Sequence, residues 1–485
     1  MAGITLFQAS CYLVIFIVCV IVLAASHSRI ARQAVLVVSS LALYLTWQPW
    51  FAAVLLISVV GNFLFGKWLR RSPDWVPLSS GILFNLALLS IFKYVPELAG
   101  RIIALHGFAA IALPLGISFW TFQAMSYLFD LYRGEELDPS FLEFALYMVF
   151  FPVSISGPVC RLPNMLPQFR SERRTAWSEI MQGLRRIAIG IFMMQLAKLL
   201  GQGILAGDGV NRGFDRLTHW SGLDVWCLAF GYGLQLFFDF AGYSHIAIGA
   251  AKALGIVVPE NFARPFQSTS PSIFWTRWHM SLSFWIRDYV FLFLIVLRRD
   301  AIWRNFVFIF SMVLFGLWHR ASLLFFIWGT YHGVLLVVHR QIEALERKYD
   351  WTPPPLWNPL SWIITMCAIS LGWIFFRANS LAQAKEMLTS VFSASSYGSR
   401  YLSGSLYALV GTLAVGYALV SWITALLWHY EAKEETPDAS GRFTGWLARS
   451  RWYWVTPLYV LAMLFVLMVT LGQSDSAAQF MYRGF

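Results

Sequence analysis

Long runs of apolar residues, separated by short polar or basic stretches, recur along the whole chain. Their lengths approach the roughly 20 residues that an α-helix needs to cross a bilayer. A transmembrane barrel would show short segments of alternating hydrophobicity instead. The pattern therefore predicts an all-α, polytopic integral membrane protein with about twelve membrane segments. The apolar runs cover residues 4–25, 33–47, 50–66, 78–95, 110–132, 141–157, 187–206, 223–255, 305–318, 322–339, 359–377, 405–428 and 454–472.

Residues 256–300 break this pattern. Pro259 and Pro265 are turn residues, and residues 271–297 mix aromatic, basic and apolar side chains without a clean span. Backbone that is not regular helix is tolerated at membrane depth only where protein or water surrounds it. We therefore expect re-entrant or interfacial helices in this segment.

The charge of the chain adds one prediction, which is the orientation of the chain in the membrane. Charged residues make up 13% of the 485 residues and the formal net charge is +11. In a soluble protein such a charge would suggest nucleic-acid binding, but here it is typical of cytoplasmic loops rich in Lys and Arg. Arg29 and Arg32 follow the first run, and Lys67, Arg70 and Arg71 follow the third. Both loops predict an extracytoplasmic N-terminus.

A polar stretch over residues 159–186 carries six arginines. We interpret it mainly as a cytoplasmic loop that leads into an amphipathic helix on the membrane surface. A basic mouth for an anionic donor such as coenzyme A is compatible with that interpretation. The five cysteines form no C-x-x-C pair, so they predict neither a disulfide framework nor a metal site. The chain is expected to be a single domain, residues 1–485, with C-terminal helices from about residue 355.

Candidate chemistry concentrates between Phe240 and Ala321, where His279 and His319 lie in apolar surroundings. Ionisable groups at membrane depth are costly and tend to line cavities or pathways. A neutral imidazole can take a proton from a hydroxyl group and return it, as acyl transfer requires. Further metal ligands, a G-x-S-x-G motif and nucleotide-binding glycine motifs are missing at typical spacings. For His319 alone a helix-capping role would be favoured. His279, however, lies among Arg277, Trp278 and Arg287 in the broken segment, and this density of polar groups indicates a lined cavity.

Further polar residues accompany these histidines. Asp239 and Tyr243 are four residues apart in an apolar run, so they should share one helix face. His332 adjoins Tyr331 and could line the same space as His319.

The stretch from Phe274 to Asp288, together with Gly316-Leu317-Trp318-His319, resembles the membrane-bound O-acyltransferase family. It is similar in particular to the bacterial branches of alginate O-acetylation and teichoic-acid D-alanylation. The motif-bearing core would cover residues 110–340. Other similar segments are Pro114–Tyr127, Phe151-Pro152, Ser156-Gly157-Pro158, Asp239–Ser244, Pro259–Phe262 and Leu371–Arg377.

The resemblance implies a fold with a central funnel or tunnel, in which His319 is the catalytic base and His279 positions or activates the reactants. It also implies acyl transfer, most often of acetyl, from a cytoplasmic thioester to a hydroxyl of an exported or cell-envelope polysaccharide. The donor would be acetyl-CoA or an acyl-carrier protein, with no permanently bound cofactor and no metal. An extracytoplasmic acetyltransferase-like partner protein is expected. The residues expected to bind substrate or line the tunnel are Asp239, Tyr243, Trp275, Arg277, Trp278, Ser281, Arg287, Asp288, Trp318 and His332.

Two departures from the family pattern leave the branch open. Residues 289–297 are closer to the teichoic-acid branch, and Arg320 stands where a small residue is usual. Arg320 would bring a positive charge to the neighbourhood of His319. The alternatives are D-alanyl-type or other acyl transfer from a carrier protein, a transporter or flippase with a polar cavity, and a membrane scaffold for a secretion complex.

Overall fold

The computed structural model describes residues 6–99, 112–204, 207–350, 354 and 356–434. Within these ranges the chain is helical and contains no β-strand, which confirms the predicted all-α class. The predicted span 454–472 lies outside the described residues. In the described part of the chain, seven helices are long and apolar enough to cross a membrane. They are Pro49–Arg71, Trp75–Glu97, Gly222–Ala253, Ala301–His319, Leu323–Lys348, Trp357–Arg377 and Gly404–Ile423.

The helices fall into two halves of the chain. The first half contains α1 (Leu6–Ala25), α2 (Arg29–Leu45), α3 (Pro49–Arg71), α4 (Trp75–Leu89), α5 (Val95–Ala99), α6 (Ile117–Tyr132), α7 (Phe141–Val149), α8 (Phe151–Ser154), α9 (Leu162–Phe169) and α10 (Trp177–Gln202). The second half contains α11 (Val210–Asp215), α12 (Gly222–Ala253), α13 (Pro271–Trp275), α14 (Met280–Ile286), α15 (Leu292–Ile295), α16 (Ala301–His319), α17 (Leu323–Lys348), α18 (Trp357–Arg377), α19 (Leu381–Phe392) and α20 (Gly404–Glu434). Two π-helical turns, Ser90–Tyr94 and Arg287–Phe291, continue α4 and α14.

Helix ends follow local sequence signals. Pro49 opens α3, where its missing N–H costs nothing. The Ser221 hydroxyl accepts from the Asp224 N–H and the Asp224 carboxylate accepts from the Ser221 N–H, which is a capping box at the start of α12. The apolar run 141–157 is divided at Phe150, between α7 and α8, and Pro152 lies in the first turn of α8.

The start of α10 differs from the prediction. The polar stretch up to residue 186 was expected to be a loop leading to a surface helix, but α10 begins at Trp177 and runs unbroken to Gln202. Glu179 explains the early start, because its carboxylate accepts from the Ala176 N–H at 3.0 Å and forms an ion pair with Arg173 at 2.8 Å. The first contact satisfies the N–H of the N-cap residue Ala176, and the ion pair holds the Glu179 carboxylate in place.

Helix α12 is the central helix of the fold. In its most apolar stretch of 18 residues 89% is buried, whereas the buried share of the corresponding stretch is 50% or less in each of the other six spans. It packs along α10, where a Cβ atom on Gly190 would lie 2.4 Å from the Gly242 carbonyl oxygen. Small residues at such contacts let two helices approach closely within a membrane.

The predicted break over residues 256–300 is present, as the short helices α13, α14 and α15. Asn261 holds their arrangement: its carbonyl accepts from the Met280 N–H at 2.9 Å, and its side-chain oxygen accepts from the Ser281 hydroxyl at 2.6 Å. The Ser281 oxygen in turn accepts from the Val159 N–H at 3.0 Å. The broken segment is therefore fastened to the first half of the chain.

Candidate active site

His319 is the last residue of α16 and is 4% exposed. Its ring stacks on Phe315, one turn earlier, with centroids 5.3 Å apart. It also meets Trp328 of α17 at 5.9 Å and Phe376 of α18 at 5.2 Å. Gly316 makes this possible, because a Cβ atom there would lie only 2.3 Å from a backbone oxygen of α17.

His279 approaches the same place from the broken segment. It lies at the start of α14 with φ 45° and ψ 50°, in the left-handed region that non-glycine residues rarely adopt. Its ring is 4.6 Å from that of Phe240 on α12 and 6.2 Å from that of Phe315. His279 and His319 therefore both contact Phe315, and the two sequence segments that carry them meet in the fold.

His332 of α17 forms the third corner of this cluster. Its ring is 5.2 Å from Trp275 and 4.9 Å from Trp328, and the side chain is fully buried. Both ring nitrogens of His279 and of His332 lack a hydrogen-bond partner among the residues that the structure describes. Buried polar atoms without partners are costly. The ring nitrogens of His279 and His332 are therefore expected to bind water or polar groups of the substrate.

Indole groups add further donors to the same wall. Within the described ranges, the buried Nε1 atoms of Trp275, Trp318 and Trp328 have no acceptor either. We call the residues His279, His319, His332, Phe315, Trp275, Trp318, Trp328 and Phe376 the aromatic chamber. Aromatic side chains pack closely around its three histidines, and polar atoms occur at a few positions only.

The remaining expected site residues lie outside this cluster. Trp278 packs on Trp373 at 5.0 Å, and Ser281 is used in the Asn261 network described above. Asp239 and Tyr243 lie on α12. Asp239 directly precedes Phe240, whose ring contacts that of His279. Arg277 lies near Tyr417 of α20. Whether these side chains contact substrate stays a prediction.

Arg287 and Asp288 belong to an ionic cluster beyond the far end of α14. Asp288 accepts from Arg287 and from Arg161, each at 2.6 Å, and its backbone carbonyl accepts from Arg133 at 2.6 Å. Arg133 and Arg161 also lie against the Tyr289 ring, at 5.1 and 5.0 Å. The cluster ties the π-helical turn after α14 to the first half of the chain.

The charges beside His319 differ from those expected. The Arg320 side chain is 58% exposed and forms an ion pair with Glu97 at 3.1 Å. The positive group against the Trp318 ring is Lys93, whose Nζ atom is 4.7 Å from the ring centroid. Sequence reasoning missed Lys93 because it lies within the apolar run 78–95. A lysine inside such a run is itself a signal of a functional position.

Comparison with known proteins decides the family. The family model of the membrane-bound O-acyltransferases matches residues 36–376, which include the aromatic chamber. The chain belongs to the membrane-bound O-acyltransferase family. It is thus a multi-pass membrane protein and an acyltransferase.

Several bacterial relatives are similar over most of the chain. The probable alginate O-acetylase of Pseudomonas aeruginosa is 32% identical over 422 residues, which cover 81% of this chain and 76% of the relative. The peptidoglycan O-acetyltransferase of Helicobacter pylori is 31% identical over 397 residues, 73% of this chain and 72% of the relative. The teichoic acid D-alanyltransferase of Bacillus subtilis is 32% identical over 284 residues, 55% and 69% respectively.

Proposed function

We propose that this membrane O-acyltransferase transfers an acetyl group from a cytoplasmic thioester donor to hydroxyl groups of an exported or cell-envelope polysaccharide. The names of the relatives support a polysaccharide or cell-envelope acceptor, because they specify alginate, peptidoglycan and teichoic acid. Two of these three names specify acetyl transfer. The observation that carries the proposal is the meeting of His279 and His319 on one aromatic ring, that of Phe315, with both histidines buried.

His319 is the general base of the proposed reaction. The acceptor hydroxyl attacks the thioester carbonyl carbon while its proton passes to the neutral imidazole of His319. The tetrahedral intermediate then collapses, the carbon–sulfur bond breaks, and the thiolate receives the proton from the imidazolium. His279 assists by orienting the reactants. The aromatic walls keep bulk water away and so limit hydrolysis of the thioester.

The donor in this proposal is acetyl-CoA or an acyl-carrier protein, and the enzyme works in the bacterial inner membrane with an extracytoplasmic acetyltransferase-like partner protein. Basic side chains gathered at one end of the helices support an orientation in which that end faces the cytoplasm. Arg32 donates to the Arg173 carbonyl, Arg70 pairs with Asp138 at 2.9 Å, and the Arg170 guanidinium donates to the Asp138 carbonyl at 2.8 Å. Basic residues favour the cytoplasmic side, which leaves the N-terminus extracytoplasmic.

D-alanyl transfer from a carrier protein is the second candidate. The similarity to teichoic acid D-alanyltransferase favours it, as does the sequence of residues 289–297. The two candidates share the same transfer step at His319 and differ in the donor.

Purified protein in detergent, supplied with radiolabelled acetyl-CoA, tests the proposal. Wild-type protein should release or transfer the label, and His319→Ala should abolish this. His219→Ala is the matched control, because the His219 side chain is 76% exposed and contacts Glu386. Turnover of a D-alanyl carrier protein but not of acetyl-CoA would favour the second candidate. Equal turnover by wild type and His319→Ala would refute the role of His319.

A further inference from the structure

Lys93 is a lysine inside the apolar helix Trp75–Glu97, within its π-helical turn Ser90–Tyr94. π-helical turns are rare and occur frequently at functional sites. An ammonium group at membrane depth requires a specific partner, and such a residue is by default a candidate functional position. The partners of Lys93 therefore indicate what it does.

The Lys93 ammonium is directed at the end of α16. Nζ donates to the backbone carbonyl of Trp318 and to the Ser118 hydroxyl of α6, the latter at 3.3 Å. It also lies over the Trp318 ring at 4.7 Å. Trp318 immediately precedes His319, so Lys93 holds the peptide group that begins the proposed catalytic residue.

The Trp318 carbonyl is one of the last four carbonyls of α16, which have no partner within the helix. The last backbone bond of α16 runs from the Arg320 N–H to the Gly316 carbonyl at 3.3 Å. A cation at a helix C-terminus is favoured both by the free carbonyl groups and by the helix dipole. Lys93 thus supplies the cap that the sequence of α16 itself does not contain.

A second charged residue on the same segment holds the other side of His319. Glu97 lies one turn after Lys93 and accepts from the Arg320 guanidinium at 3.1 Å. Lys93 and Glu97 therefore contact the residues directly before and after His319. We call this pair the charged brace.

We propose that Lys93 is a positioning residue of the acyl-transfer reaction, which fixes the last turn of α16 so that the His319 ring stays in the aromatic chamber. The proposal rests on the catalytic role proposed for His319. Lys93 acts through the Trp318 peptide group and does not touch the reacting atoms. Glu97 completes the brace by anchoring Arg320 and so the chain that leaves α16.

Lys93→Met tests the proposal, since it keeps an unbranched side chain and removes the ammonium group. Turnover at saturating donor should fall at least about tenfold, because small misplacements of catalytic groups are costly. The KM for the donor should stay within about threefold of wild type, since Lys93 acts on chemistry rather than on donor binding. Lys93→Arg, which keeps the charge and the donors, should recover most of the turnover.

Lys67→Met is the matched control. Lys67 is also on a membrane-spanning helix and lies over an aromatic ring, that of Phe63, at 4.8 Å, but it has no contact with α16 in the described structure. Its turnover should equal that of wild type.

Hydrogen–deuterium exchange gives a readout that needs no substrate. In Lys93→Met, the amides from Leu317 to Leu323 should exchange about tenfold or more faster than in wild type, because a hydrogen bond to a charged group is lost. Exchange in α12 should be unchanged.

The outcomes separate the two proposals. Unchanged turnover in Lys93→Met, a fall that arises only from KM, or a fall without faster exchange at the end of α16 would overturn the positioning role. Turnover in His319→Ala would overturn the proposed catalytic role and, with it, the role of Lys93. If the wild-type protein turned over neither acetyl-CoA nor a D-alanyl carrier protein, the proposed function would fail. The exchange rates would still decide whether Lys93 holds the end of α16.

Discussion

Gly316 is the position at which the packing of α16 against α17 can be tested most sharply. A Cβ atom at residue 316 would lie 2.3 Å from the Phe325 carbonyl oxygen and 3.3 Å from an atom of the Trp328 ring. The oxygen belongs to the backbone of α17 and cannot rotate away. Gly316→Ala must therefore push the two helices apart by about 1 Å to reach the 3.4 Å of ordinary contact.

The expected effect has two parts. Overpacking of this kind costs roughly 1–3 kcal/mol, of which the better helix propensity of alanine returns about 1 kcal/mol. The net loss of stability is therefore small, up to about 2 kcal/mol. The effect on turnover is larger, since His319 lies less than one turn further along α16 and a displacement near 1 Å can cost about 100-fold.

The assay is donor turnover at saturation together with thermal unfolding followed by tryptophan fluorescence. Gly416→Ala on α20 is the matched control, because a Cβ atom there meets nothing within 4 Å. It should keep wild-type turnover and unfold at the same or a slightly higher temperature. Wild-type turnover in Gly316→Ala would refute the inference that close approach of α17 sets the position of His319.

Three further changes test other parts of the structure. Asp224→Ala removes the carboxylate half of the capping box of α12, which accepts from the Ser221 N–H, and the acceptor for Tyr407, so thermal unfolding should show a loss of roughly 2–4 kcal/mol; an unchanged melting temperature would contradict the link between α12 and α20. His279→Gly relieves a left-handed backbone but removes a buried imidazole and leaves a cavity, so turnover should fall, and the loss of stability should be smaller than the roughly 2–5 kcal/mol usual for such a deletion; retained turnover would exclude a role for the ring. Hydrogen bonds from Arg170 hold the pKa of Glu143 below its ordinary value. The stability that this ion pair contributes is present above about pH 4.3, the ordinary pKa of a Glu side chain, and is lost as the pH falls through the lower pKa of the folded state. Arg170→Met should therefore be less stable than wild type by under about 1 kcal/mol at pH 7, and this difference should disappear in acid. A loss of stability that does not depend on pH would argue against the ion pair.

Much of the helical architecture follows from the order of apolar runs. The separation of the runs 33–47 and 50–66, with Pro49 at the start of α3, and the broken segment after Pro259 could be predicted, because proline acts locally on the backbone. The early start of α10 could not, since it depends on how Glu179 pairs with Arg173 and caps the helix.

The candidate site shows where sequence reasoning ends. His279 and His319 could be found because ionisable residues in apolar surroundings are conspicuous. Their meeting on Phe315 depends on the packing of separate helices, which no local pattern contains. Lys93 was overlooked within the apolar run 78–95, although a lysine there is a signal of the same kind; its contact with Trp318, 225 positions away in the sequence, again depends on packing. Arg320, adjacent to His319, is directed to Glu97 instead.

The content of O-acyl esters on envelope polysaccharide in living cells tests the central claim most directly. The strain should lack the native gene and carry either the wild-type chain or His319→Gln at equal membrane abundance, so that donor, partner and acceptor are all present. The account predicts acetyl esters with the wild-type chain and none above background with His319→Gln. Equal ester content in both strains would contradict it.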